Sequence, residues 1–149
     1  MKIPIHRVGS VAGEIDAIQK RIATRAEELH EGREGGLPLD DWLVAEREVI
    51  WRPALDVRQS DDSYVVEAAV AGLEPRQIDV RVAPNDVLIS ADVHHDHART
   101  ANVLLCEFNA GPLFRSYHFD RPIDPERVTA DYKNGLLRIT APLAPGPTP

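Results

Sequence analysis

Residues 128–142, VTADYKNGLLRITAP, carry the reading of the fold. Val128, Ala130 and Tyr132 alternate with polar Thr129, Asp131 and Lys133. Leu137 and Ile139 then alternate with Arg138 and Thr140. A period of two puts every second side chain on one face, as in a half-buried strand. Between the two runs stands Asn134-Gly135, the pair that a primed hairpin turn favours because both positions take positive φ. The stretch therefore predicts a two-stranded hairpin with one apolar face, closed by Pro142.

Working upstream, the same period recurs. Tyr117 and Phe119 alternate with Ser116 and His118, and residues 103–108 are strand-like. Residues 87–91 follow the tight turn Pro84-Asn85-Asp86, which is itself preceded by Ile78, Val80 and Val82. Tyr64, Val66, Ala68 and Val70 share a face, as do Leu55 and Val57 across the turn Ser60-Asp61-Asp62-Ser63. About eight short strands at this spacing predict a mainly β, immunoglobulin-like sandwich. Twelve prolines in 149 residues agree with it. Those after residue 51 are spread too evenly for a long helix, because a helix interior loses about 3 kcal/mol or more at a proline.

The first fifty residues have another period. Ile15, Ile18, Ile22, Ala26 and Leu29 recur at three- and four-residue steps, one apolar stripe of a helix over 14–31. Glu14 and Asp16 suit its positive end, and Gly32, Gly35 and Gly36 stop it. A second helix is predicted from Pro38 to about Val49, with Leu39, Trp42, Leu43 and Val49 as its apolar face. The chain thus divides into a flexible arm (1–12), a helical hairpin (13–50), the sandwich (51–143) and a disordered tail (144–149).

Composition excludes several functions. Seventeen Lys and Arg against 24 Asp and Glu give a net charge of −7, the wrong sign for tracking a phosphate backbone. One cysteine excludes a disulfide framework and a four-cysteine zinc site. No run of about 18 apolar residues and no signal-like amino terminus is present, so a soluble cytoplasmic protein without membrane or nucleic-acid partners is expected. Phosphate-binding loops, nucleophile elbows and metalloprotease helices are absent from the sequence, and with them any support for catalysis, ATP use or a cofactor.

Taken in order, the segments resemble the α-crystallin domain of small heat-shock proteins, bacterial type. Ala130, Gly135, Leu137, Ile139 and Pro142 stand where that family has its closing pattern. Gly111, Leu113, Arg115, Tyr117 and Phe119 resemble its glycine–aromatic–arginine run, ending in Asp120 rather than proline. Further back, Ala71-Gly72 stands where the family usually has Pro-Gly, and Val87-x-Ile89-x-Ala91 where Leu-x-Ile-x-Gly is common. The amino-terminal segment is similar to a short bacterial helical module, in Arg25-Ala26-Glu27-Glu28-Leu29 and Asp41-Trp42-Leu43-Val44-Ala45-Glu46.

The resemblance implies an ATP-independent holdase that binds non-native client proteins under stress and passes them to ATP-dependent refolding chaperones. It implies a domain-swapped homodimer in which Leu104, Leu105, Cys106, Glu107 and Phe108 lie against the partner's Leu55 and Val57 edge. Arg115 would hold sheet and dimer together through carboxylates. A higher homo-oligomer stays open, because the tail lacks the family's Ile-x-Ile motif. Ile3-Pro4-Ile5 at the other end is expected to fill the groove lined by Ile78, Val80, Val82, Val128, Ala130 and Tyr132, with a frayed terminus as the alternative. Client-binding candidates are Ile15, Ile18, Ile22, Leu29, Trp42 and Leu43.

His94, His95 and His97 with Asp92 and Asp96 have metal-ligand chemistry but poor spacing, so a solvated loop and no metal site are expected. A nucleophilic Cys106 would need a base and an electropositive setting, which Leu105 and Phe108 do not supply, so it is read as a packing residue. His118 is read as a surface residue. The competing functions are a co-chaperone-like module that docks a folded chaperone, and an enzyme whose residues meet only in space.

Overall fold

Val66, Ala68, Val80, Val82, Leu137 and Ile139 are all shielded from solvent, and they come from strands of two different sheets. A computed structural model of the chain, describing residues 1–32, 38–93, 102–108 and 111–146, shows how the sheets are built. The strands are β1 (Lys2–Ile3), β2 (Ile5–Arg7), β3 (Leu55–Gln59), β4 (Ser63–Ala69), β5 (Ile78–Ala83), β6 (Asp86–Ala91), β7 (Leu113–His118), β8 (Thr129–Lys133) and β9 (Leu136–Pro142). One sheet has the order β1-β8-β9-β4-β3 and the other β2-β5-β6-β7. All pairs are antiparallel except β2 with β5. The fold is a mainly β sandwich with an amino-terminal helical segment.

The opening hairpin forms as its residues predict. β8 and β9 pair with Ala130 opposite Ile139 and Tyr132 opposite Leu137, so the apolar members of both strands share the core face. Asn134 and Gly135 take φ of 55° and 79°. Corners are held by directional bonds. The Tyr132 hydroxyl donates to the Leu73 carbonyl at 2.9 Å, and Asn85 Nδ2 donates to the Phe119 carbonyl at 3.1 Å. Phe119 lies against Tyr64, with ring centroids 4.6 Å apart.

Helix α1 (Ala12–Glu31) packs antiparallel to α2 (Pro38–Val49) around Ile22, Ala45 and Ile50, with Ile18, Ala26, Leu29, Trp42 and Val49 alongside. The hairpin does not stand apart from the sheet. Phe114 on β7 joins this cluster, and Leu88, which points away from the sandwich core, is buried beside Glu14, Ala17 and Ile18. A salt bridge of 2.9 Å from Arg81 to Glu14 joins β5 to α1. The hairpin therefore covers the outer face of the four-stranded sheet.

Several expectations need correction. Residues 1–12 were expected as a flexible arm, but both β1 and β2 lie in this segment and are laddered to the sheets. The side chains there supply the reason, since Ile3 is only 4% exposed. The apolar face of α2 is not Leu39 and Leu43, which are exposed, but the side carrying Asp41, Trp42, Ala45 and Val49. A small alanine permits close helix approach, and hydropathy alone does not reveal which face is approached. Residues 103–108 form no strand, because no ladder partner for them is present among the described residues. Of the tail, 144–146 have no regular structure, and the rest lies outside the described residues, as do Gly35, Gly36 and the His94, His95, His97 group.

Candidate functional site

Apart from the arm strands β1 and β2, the sheets end at the same side of the sandwich, the larger at β8 and the smaller at β5. Between them runs a trough whose walls include Val80, Val82, Val128 and Ala130, all buried, and half-buried Tyr132. The amino-terminal segment lies along it. Ile3 stands opposite Ala130 in antiparallel register, while Ile5 stands opposite Val80 in parallel register. Pro4, which has no N–H to pair, sits at the crossing from one sheet to the other. Two further bonds anchor the segment: Tyr132 N donates to Met1 O at 2.8 Å and Val8 N to Val82 O at 2.9 Å. The small side chain of Ala130 leaves room for the Ile3 side chain, so sheet-edge pairing and apolar burial act together.

His6 extends this contact to charge. Its Nε2 is 3.4 Å from Asp79, whose other oxygen accepts from Arg81 Nε at 3.0 Å, and Arg81 also reaches Glu14. Arm, sheet and helix α1 thus meet at Arg81. Sequence reading missed this link, because His6 and Glu14 lie about seventy positions from Asp79 and Arg81 and only the tertiary fold brings them together.

The second site is the opposite edge of the larger sheet. Among the described residues β3 pairs only with β4, so its other edge, beside Leu55 and Val57, has no ladder partner there. Residues 104–108 are exposed: Leu104 by 96%, Leu105 by 76% and Phe108 by 74%, a high apolar exposure for one short stretch. Cys106 is a free, exposed thiol here and does not pack within its own chain. The structure does not bring these residues to the chain's own Leu55 and Val57 strand.

The client-binding candidates are mostly covered. Ile22 is buried and Ile15, Ile18, Leu29 and Trp42 are half-buried in the hairpin and against the sheet, whereas Leu43 is exposed. Asp41, which sequence reading did not single out, is 3% exposed and lies 2.9 Å from His30 Nδ1, bracing the hairpin. The carboxylates of Glu48 and Glu28 raise the Arg25 guanidinium above its usual range at a second, exposed tie between the helices. Arg115 is half-buried under the hairpin, and its Nε has no hydrogen-bond partner among the described residues. Burial first, and then the charge of Arg52, push its pKa down. His118 is exposed and pairs with Asp86 at 2.9 Å.

A sandwich of this strand order, with a trough between β5 and β8, can be compared with known proteins. The family model described as "Hsp20/alpha crystallin family" matches residues 56–149. The chain belongs to this family. Among curated relatives, the 18 kDa heat shock protein of Clostridium acetobutylicum is 31% identical over 91 residues, covering 59% of this chain and 60% of that protein. Spore protein SP21 of Stigmatella aurantiaca is 27% identical over 94 residues, 62% of this chain and 56% of its own. The chain thus matches little more than half the length of these two relatives. The small heat-shock protein of Xylella fastidiosa superposes with a TM-score of 0.58 at 23% identity, over 66% of this chain and 92% of that one. HspA of Xanthomonas axonopodis gives 0.57 at 25% identity, over 64% and 96%. The Hsp20/alpha crystallin match begins at residue 56, so both helices lie outside it.

Among the described residues, no three His, Cys, Asp or Glu side chains are grouped so as to hold a metal ion. No described helix is long and apolar enough to cross a membrane.

Proposed function

We propose that this Hsp20/alpha crystallin chain is an ATP-independent holdase that captures unfolding proteins before they meet one another. The observation that carries the reading is the family match over residues 56–149, which takes in nearly all of the sandwich apart from the arm strands β1 and β2. Physically, a holdase must offer apolar surface and unpaired sheet edges to chains that expose the same. Candidate surfaces here are the exposed segment 104–108, the trough when the Ile3-Pro4-Ile5 arm leaves it, and the helix stripe when the hairpin lifts. The net charge of −7 keeps loaded complexes apart.

In this reading the chain is not an enzyme. It works as a homodimer in the cytoplasm and hands clients to ATP-dependent chaperones. The dimer forms when residues 104–108 pair with the partner's open β3 edge, which gives an otherwise unpaired edge its ladder. The arm in the trough limits growth beyond the dimer. The co-chaperone-like alternative, docking a folded chaperone, has no specific observation in its favour.

The test is light scattering from a heat-denatured client without nucleotide, at near-stoichiometric amounts of the chain. Suppression across unrelated clients is expected. Undiminished scattering over a range of temperatures and clients refutes the holdase reading.

A further inference from the structure

Under the helical hairpin, on the outer side of β7, lies a cavity of about 280 Å³. It is near the lower end of the size range for small-molecule sites, about 300 Å³. Its floor is apolar, from Ile18, Ile22, Ile50 and Phe114, but its mouth carries Arg52, Arg115, Glu46, Gln19 and Ser116. The Arg115 Nε is buried and has no acceptor among the described residues. A buried donor left without a partner is costly and calls for an explanation, an ion or water among them. The one carboxylate in the cavity wall, Glu46, stands 4.0 Å from Arg52, at the outer limit of an ion pair. Two guanidinium groups therefore share one distant carboxylate beside an apolar floor, where electrostatic attraction is stronger than in bulk water.

We propose that Arg52 and Arg115 form a binding site for a small free oxyanion, a phosphate or carboxylate group, held between the sandwich and the helical hairpin. A guanidinium fork matches the paired oxygens of such a group, and the side chains of Arg52 and Arg115 both line the cavity. Gln19 and Ser116 supply neutral donors from α1 and β7. Burial and the neighbouring Arg52 both disfavour the charge on Arg115, and an anion between the two reverses that penalty. The walls come from α1, α2 and β7, so a bound oxyanion ties the hairpin to the sheet. The site lies outside the trough and the β3 edge, and its occupancy is measured without any client.

The probes are inorganic phosphate and acetate, titrated against the full chain with chloride replaced at constant ionic strength. A saturable rise in melting temperature is expected with at least one of them by about 10 mM, as for a ligand that binds only the folded state. Amide exchange in α1 and β7 slows in parallel. Arg52→Gln, at a side chain 55% exposed and so compatible with folding, weakens the affinity about tenfold or more, the loss expected for a charge-assisted hydrogen bond. Arg115→Lys keeps the charge, loses the fork and weakens binding likewise. No saturable response to either anion, or an equal response in Arg52→Gln, overturns the proposal.

Discussion

Gly111 and Gly135 are both required, for different reasons that decide how substitutions there behave. Gly135 stands at φ 79° in the β8–β9 turn, and an added Cβ meets Ala71 Cβ at 3.0 Å. Gly135→Ala is expected to cost about 1–2 kcal/mol, the strain of a left-handed residue with a side chain. Gly111 is held by proximity instead: a Cβ there would lie 2.1 Å from the Val49 carbonyl oxygen. This carbonyl belongs to the end of α2, just before Trp51 N donates to Pro112 O and Phe114 N to Trp51 O. Gly111→Ala must separate that junction, so its midpoint in urea should fall below that of Gly135→Ala. The reverse order would show that the junction yields cheaply. The Asn134-Gly135 turn was legible in sequence because it is a local rule. The need for Gly111 was legible only as a family resemblance, since its neighbour is sixty residues away.

At the scale of elements, the arm and the hairpin show where periodicity suffices and where it fails. Two isoleucines separated by a proline suggest a groove-filling arm, with a frayed terminus as the alternative, and the trough they enter exists only when β5 and β8 come together across two sheets. Ile3→Ala removes a buried side chain, a loss of about 2–5 kcal/mol in a rigid core. In a terminal segment that loss falls on the arm alone, because a local opening can relieve it. Faster amide exchange is therefore expected at Tyr132 and Val8, whose N–H groups bond across the arm, with β4 and β9 unaffected. Unchanged protection at both amides would show that Ile3 does not hold the arm in the trough. The helices were legible as helices, with α2 beginning at Pro38 as predicted. Their buried faces were legible in full for α1 and in part for α2, where Trp42 and Val49 pack as expected. For α2 the packing selected Ala45 and Asp41 and left Leu39 and Leu43 outside, because close approach to α1 and the His30 contact outweigh the hydropathy of the stripe.

For the whole molecule, the open β3 edge and the exposed segment 104–108 bear on association. Leu105→Glu with Phe108→Glu places charge where the proposed dimer buries apolar surface. Sedimentation at micromolar concentration should then give the monomer mass, with the melting temperature of the isolated fold little changed because both side chains are already exposed. A dimer of undiminished affinity would remove this segment from the interface. By itself the sequence determined the two periods, the turns, the division near residue 50 and the family to which the sandwich is similar. These are properties of neighbouring residues, whose side-chain direction follows from backbone geometry. Only the tertiary structure decided that the arm spans two sheet edges, that Arg81 joins arm to helix, and that Arg115 and Arg52 meet under the hairpin. Those arrangements depend on register between distant strands and on which helix face packs. Burial of the whole chain sets both together, and no single segment carries them.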